Sequence, residues 1–97
     1  MAKGARVDVK DAEGFKPYAE ANGPIFKKFG GRFVVRGGTF EGMEGVSRSR
    51  NIVLEFPDYA TALACYRSPE YQENIKRRLP HSTTDLIVIE DYDGAQP

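Results

Sequence analysis

The sequence has few of the features that mark several common classes of protein. Its 97 residues include one cysteine, Cys65, so no disulfide can form within the chain. No run reaches the ~18 consecutive apolar residues of a membrane-spanning helix, and the first ten residues hold no apolar signal-peptide core. A lone cysteine also suits a reducing compartment. We therefore expect a cytoplasmic protein with no membrane partner.

An excess of either charge is also missing. Lysine plus arginine number 14, aspartate plus glutamate number 14, and the formal net charge is +0. Nucleic-acid binding depends on a strongly basic face. The basic run Lys76-Arg77-Arg78 is instead typical of a solvated helix end, where cations suit the helix dipole. We expect no nucleic-acid partner.

Residues for metal binding and nucleophilic catalysis are scarce. The chain has one histidine, His81, besides its one cysteine. A zinc site needs three or four protein ligands, and a reactive thiol needs a nearby base. We expect Cys65 to pack in the core or at a dimer interface, and His81 to lie in an exposed loop. No glycine-rich segment matches a phosphate or dinucleotide motif, so neither a metal nor a cofactor is expected.

Hydrophobic periodicity predicts the element order β-α-β-β-α-β. The first predicted elements are a short strand at 5–9 and a helix that is capped by Asp11, broken or kinked near 22–24, and stopped at Gly30-Gly31. Two strands follow, Arg32–Glu44 and Arg48–Phe56. The last elements are a helix that is capped by Asp58 and restarts at Ser68, and a strand, Thr84–Tyr92. This is the ferredoxin-like α+β order, in which both helices cover one face of a four-stranded antiparallel sheet. We expect one domain, 1–97, with a loose tail at 93–97.

The last two strands predict a sheet that is buried on both faces. The segments Leu86-Ile87-Val88-Ile89 and Ile52-Val53-Leu54 are apolar on both sides, whereas a sheet with one wet face alternates apolar and polar residues. Helices can cover only one of the two faces. We expect a second copy of the chain to cover the other, which gives a homodimeric α+β barrel.

A hairpin centred on Gly45-Val46 predicts a register for the second and third strands. In that register Arg36 faces Glu55 on the side away from the helices, and a bulge at Gly37-Gly38 would shift the pairing. Three interpretations of this pair stay open. It is a buried ion pair that fixes the dimer geometry, or it is a ligand-holding or catalytic pair inside the barrel, or the two residues are solvent-exposed edge residues.

Four segments resemble the bacterial domain of unknown function 1330 family. They are KFGGRFVVRGG, the EG at 44–45, RSRNIVLEFPD and YRSPEYQ, and the resemblance runs from about Ala5 to Glu90. The family is similar to the dimeric α+β barrel superfamily, which implies ferredoxin-like subunits that pair through their sheets. Family members carry aromatic and apolar residues between AKG and ARVDV. These segments adjoin here, so a short first strand is expected.

The residues and the resemblance leave two functions open. Relatives in the superfamily include cofactor-free monooxygenases, isomerases and ligand-binding proteins, so the resemblance does not decide whether the chain is an enzyme. The first function is non-enzymatic: a homodimer binds a small organic molecule in a polar barrel pocket formed by Arg36, Glu55, Tyr66 and Tyr71. Both tyrosines also suit a core. In the alternative, a cofactor-independent enzyme uses Glu55 for acid-base chemistry and Arg36 to hold a substrate carboxylate.

Overall fold

The computed structural model describes residues 2–9, 12–47, 49–90, 92 and 94–97, with side chains from residue 16 onward. Its elements are β1 (Ala2–Val9), α1 (Ala12–Lys28), β2 (Arg32–Arg36), β3 (Arg50–Glu55), α2 (Tyr59–Arg67), α3 (Pro69–Arg78) and β4 (Ser82–Ile89). The predicted α+β class with antiparallel strands is confirmed. The cap predicted at Asp11 lies outside the described residues. No helix in the described part of the chain is long and apolar enough to cross a membrane.

The sheet places β1 at its centre. The strand order is β2-β3-β1-β4, and all three neighbouring pairs are antiparallel. The first strand is 8 residues long, as long as β4, and pairs with β4 from Ala2 to Val9. The prediction of a short first strand is therefore wrong. The AKG segment extends the strand because its backbone finds hydrogen-bonding partners on both sides.

α1 is continuous across its two prolines, so the break expected near 22–24 does not occur. Pro17 and Pro24 lie inside the helix, seven residues apart, and both are exposed. Each removes a backbone donor, which leaves a carbonyl one turn earlier without its helical partner. Residues seven apart lie on the same side of a helix, so both gaps face water, which can bind the carbonyls. The helix therefore tolerates both prolines.

The end of α1 follows the predicted glycine stop. Gly30 has a φ of 74°, which disfavours a side chain, and its N–H bonds the Lys27 carbonyl at 3.0 Å. The N–H of Gly31 bonds the Phe26 carbonyl at 2.8 Å, which completes a Schellman cap. A Cβ on Gly31 would lie 2.7 Å from the Phe56 ring, so close packing also requires this glycine. The stop thus fixes how the chain enters β2.

α2 and α3 begin at the predicted caps. The Asp58 carboxylate accepts the Thr61 N–H at 2.7 Å, and hydrogen bonds from Thr61 lower the pKa of Asp58. Ser68 ends α2 and also caps α3, because its hydroxyl accepts the Tyr71 N–H at 3.2 Å. Pro69 follows at the first helical position, where its missing N–H costs nothing.

Strand β2 is much shorter than predicted, and the other strand limits also differ. Pairing of β2 with β3 ends at Arg36, since Gly37 has a φ of 67° and turns the chain out of the extended conformation. No strand is assigned among described residues 37–49, which were predicted to hold the ends of both hairpin strands. At the other end of the sheet, β4 stops at Ile89 rather than Tyr92.

The apolar core lies between the helices and the sheet. Its buried members are Tyr18, Phe26, Leu54, Phe56, Ala62, Cys65 and Tyr71. Strand β4 alternates, with Leu86 and Val88 half-buried and Ile87 and Ile89 exposed. Leu79 is 60% exposed. It follows the last helical residue, where the chain turns away from the core.

Candidate functional site

A β-bulge decides which side of the sheet the predicted site residues occupy. Phe33 faces Leu54, but the next paired residue is Val35, which faces Val53, so Val34 is an extra residue in β2. Arg36 consequently faces Ile52, and Glu55 faces Arg32. An extra residue moves every later side chain in the strand to the opposite face. The predicted register is therefore wrong, and the bulge lies three residues before the glycines.

Arg36 lies on the helix side of the sheet. Its guanidinium sits 4.4 Å from the centre of the Phe33 ring, and Phe33 packs against the core. A guanidinium over an aromatic face is held by the ring quadrupole. Glu55 alternates with the buried residues Leu54 and Phe56 and so lies on the other side. The sheet itself separates Arg36 from Glu55, and the predicted pair does not form.

Glu55 pairs instead with Arg32, its neighbour across the strands. Nε of Arg32 lies 3.1 Å from Oε1 of Glu55, and the two side chains are 68% and 43% exposed. In the isolated chain this is a surface ion pair, a class that contributes ~0–1 kcal/mol. The sequence interpretation missed Arg32 because it assumed a hairpin without a bulge in FVVR.

We call the helix-free side of the sheet the open face. Its residues with described side chains are Arg32, Val35, Asn51, Val53, Glu55, Thr83, Asp85, Ile87 and Ile89, with the bulged Val34 at one edge. Ile87 and Ile89 are 60% and 53% exposed. Val53 and Ile87 both lie opposite Gly4 of β1, so a glycine without a side chain separates them. The result is a shallow apolar strip, with the Arg32–Glu55 pair next to it.

A buried polar cluster joins α1 to α3 on the helix side. The hydroxyls of Tyr18 and Tyr71 are 2.7 Å apart. The amide of Asn74 donates to the Tyr18 carbonyl at 3.2 Å and to Oδ1 of Asn22 at 2.9 Å. All four residues are buried. A buried polar group without a partner is costly, so these bonds fix one arrangement of the two helices.

Arg78 completes this cluster. It is 7% exposed, and its guanidinium lies 5.4 Å from the centre of the Tyr18 ring. Burial and the neighbouring Tyr18 raise the pKa of Tyr71 far above its usual value, while Arg78 acts in the opposite direction. Tyr71 is therefore neutral at physiological pH and cannot act as a base. The cluster suits a structural role rather than proton transfer.

The other predicted tyrosine also belongs to the helix side. The rings of Tyr66 and Tyr71 are 5.6 Å apart, and Tyr66 packs against the core. The structure therefore brings these two residues together but places Glu55 across the sheet from them. Arg36 lies on the same side as the tyrosines, over Phe33. The four residues do not form the single pocket that the sequence suggested.

The basic run at the end of α3 is only partly solvated. Lys76 and Arg77 are exposed, as predicted, but the prediction is wrong for Arg78. Residues 71, 74, 75 and 78 recur at three- and four-residue steps, which puts them on the inner side of α3. That spacing could have identified Asn74 and Arg78. The prediction missed this spacing because a run of three cations is usually exposed.

The residues considered for nucleophilic and metal chemistry give no site. Cys65 is fully buried in the core, as one of the two predicted placements required. His81 is half-buried rather than exposed, and its N–H bonds the Arg78 carbonyl at 2.9 Å in the turn after α3. Among the described residues, no three of histidine, cysteine, aspartate and glutamate are close enough to hold a metal ion.

The element order and strand order define a ferredoxin-like α+β fold whose sheet has one covered and one open face. The family model for the domain of unknown function DUF1330 matches residues 5–92, and the chain belongs to this family. The resemblance noted from the sequence motifs is thereby confirmed.

Solved structures agree with this fold. A protein of unknown function from Rhodopseudomonas palustris superposes with a TM-score of 0.73 at 21% identity, over 96% of this chain and 82% of that one. A NIPSNAP domain protein from Burkholderia xenovorans gives a TM-score of 0.51 at 18% identity, over 98% of this chain and 100% of that one. No match appears among the curated proteins. At these identities the likeness concerns the fold alone.

Proposed function

We propose that the protein is a homodimer that pairs through its open face and binds a small organic molecule. The observation that carries the dimer is the apolar strip of the open face. Ile87 and Ile89 are more than half exposed in the isolated chain, although they belong to a strand with buried residues on its other side. Burying one such side chain contributes ~1.5–3 kcal/mol, so a second copy would gain several of these contributions.

The arrangement of polar groups supports the ligand-binding part of the proposal. Pairing two open faces would place the Arg32–Glu55 pair of each subunit beside apolar strips from both. A few polar groups in an apolar enclosure are typical of small-molecule sites. Location in the cytoplasm remains a prediction from the sequence.

The enzyme alternative has less support. It required Glu55 and Arg36 to act on one substrate, and the sheet separates them. Tyr71 is a neutral core residue, and Cys65 is buried. No observation in the described part of the chain favours catalysis over binding.

The dimer is tested by adding a charge to the open face. Ile87→Asp would place an unpaired carboxylate in the apolar strip, so the dimer should dissociate while the subunit stays folded. The measurement is mass by light scattering at micromolar concentration. Ala64→Asp, which adds the same charge at an exposed position of α2, is the control and should remain a dimer. A wild-type chain that is monomeric at this concentration contradicts the proposal.

Ligand binding is tested by thermal shift against small organic molecules of neutral, cationic and anionic classes. A ligand present at ~100 times its dissociation constant should stabilise the fold by ~2.7 kcal/mol. If the chain is dimeric and no class of molecule stabilises it, the dimer proposal stands and the binding proposal is wrong.

A further inference from the structure

Two arginines lie on the helix side of the sheet, at the end where β2 stops. Arg50 alternates with the core-facing residues Ile52 and Leu54, so it points to the helix side. Arg36 faces Ile52 across the strands and therefore shares that side. Arg36 and Arg50 are diagonal neighbours, a relation that puts their Cα atoms ~7–8 Å apart.

The backbone next to these arginines leaves room for the guanidinium of Arg50. A Cβ on Gly37 would lie 3.0 Å from Nη1 of Arg50, and the φ of Gly37, 67°, also favours glycine. Arg36 is held at its own position by the Phe33 ring, 4.4 Å away. Both cationic groups thus have defined positions at the rim of the helix side.

Neither arginine has a carboxylate partner among the side chains described from residue 16 onward. The ion pairs there join Lys28 to Glu70, Arg32 to Glu55 and Lys76 to Glu73. Arg36 keeps its exposure to solvent, whereas Nε of Arg50 is buried and has no hydrogen-bond partner. Buried donors nearly always have one.

A second buried group without a partner lies on the same row of the sheet. The hydroxyl of Thr84 has no hydrogen-bond partner, and Thr84 and Arg50 both lie opposite Val7 of β1. Thr84 alternates with the half-buried Leu86 and Val88, so it too points to the helix side. β1 separates Thr84 from Arg50, so this hydroxyl faces the same side of the sheet as the arginines but lies two strands away from Arg50.

We propose that this pair, Arg36 with Arg50, binds the oxyanion of a small organic acid, a carboxylate or a phosphate ester. Guanidinium groups donate paired hydrogen bonds to such oxyanions, and the Phe33 ring offers an apolar surface beside Arg36. This site is distinct from the enclosure between open faces proposed above. It lies on the helix side, so it does not require the dimer.

Calorimetric titration of the wild-type protein with succinate, inorganic phosphate and the uncharged succinamide tests this assignment. Succinate or phosphate should bind saturably at a stoichiometry of one per chain, more weakly as salt is raised, and succinamide should not bind. Arg36→Met and Arg50→Met should each weaken binding at least about tenfold, the loss of a charge-assisted hydrogen bond. Arg67→Met, at an exposed position on α2, is the matched control and should bind like wild type.

Arg50→Lys keeps the positive charge but lacks the planar guanidinium group. It replaces Arg50→Met as the test if that variant fails to fold. It should fold and bind more weakly than wild type. Binding of neither anion, equal binding of succinamide, or equal loss in the Arg67 control overturns the oxyanion site. Neutral or cationic molecules that stabilise the protein while both anions fail would overturn this inference alone and leave the binding function in place.

Discussion

The two faces of the sheet carry similar residues but have different surroundings. In β4, Leu86 and Val88 lie under the helices, whereas their neighbours Ile87 and Ile89 face away from them and are exposed. In β3, Leu54 is buried and Val53 is not. The chain therefore supplies apolar side chains to both faces but supplies helices to only one. Strand composition alone therefore does not show which face the helices cover, and the order of the elements does.

The polar pairs on the two faces differ in the same way. The Tyr18–Tyr71 hydroxyl pair is buried under the helices, and the Arg32–Glu55 pair is largely exposed. A buried hydrogen bond is costly to break because the group left behind loses its partner and cannot reach water. An exposed ion pair exchanges its partner for water at little cost.

The largest expected effect separates the two faces by a matched truncation in β3. Leu54→Ala should destabilise the subunit by ~2–5 kcal/mol, since it opens a cavity in the core. Val53→Ala removes apolar atoms from the open face, so its cost should grow as the protein is concentrated and dimers form. Urea denaturation at low and high protein concentration measures both. Equal, concentration-independent losses would contradict the distinction between the faces.

An intermediate effect is expected at the buried tyrosine pair. Tyr71→Phe should cost ~1–3 kcal/mol, because Tyr18 loses its hydroxyl partner inside the core. The double variant with Tyr18→Phe should cost less than the sum of the single variants, a coupling that a denaturation cycle measures.

The same pair should also set the alkaline limit of stability. The folded state raises the pKa of Tyr71, so it favours the neutral phenol. This contribution is complete below the ordinary tyrosine pKa of ~10 and is lost as the pH rises above that value. Tyr71→Phe should therefore flatten the fall in stability above pH ~10. An unchanged alkaline slope would argue against burial of the Tyr71 hydroxyl.

The smallest effect is expected for the ion pair of the open face. In the monomeric Ile87→Asp background, the Arg32→Ala, Glu55→Ala and double variants should give a coupling of ~0.2–1 kcal/mol that salt reduces. A dimer that buries the pair should show a larger coupling, because an unpaired buried charge is costly. Equal coupling in monomer and dimer would place the pair outside the interface.

The sequence predicted the features that depend on local chemistry. Glycine at the end of α1, Asp58 before α2 and Ser68-Pro69 before α3 act through their own backbone and side-chain atoms, so their positions were correct. The prolines of α1 were misjudged because their cost depends on which side of the helix meets water. That side is determined by how α1 packs on the rest of the protein, and the residues around the prolines do not show this.

The candidate site was harder to predict because it depends on a one-residue shift in the pairing of β2 with β3. FVVR reads as an ordinary strand, and Gly37-Gly38 looked the better place for a bulge. The bulge at Val34 instead separated Arg36 from Glu55 and joined Glu55 to Arg32. Only the pairing partner, a distant part of the chain, determines that choice.

The bulge at Val34 determines the side on which Arg36 appears, because it takes one residue out of the alternation of β2. Deleting Val34 would remove the bulge and leave Arg36 opposite Ile52, on the helix side. A chain of unchanged length that paired FVVR without a bulge would instead carry its arginine on the face of Glu55. Related chains should accordingly be compared by strand pairing, since arginines that align in sequence lie on opposite faces when only one of the chains has the bulge.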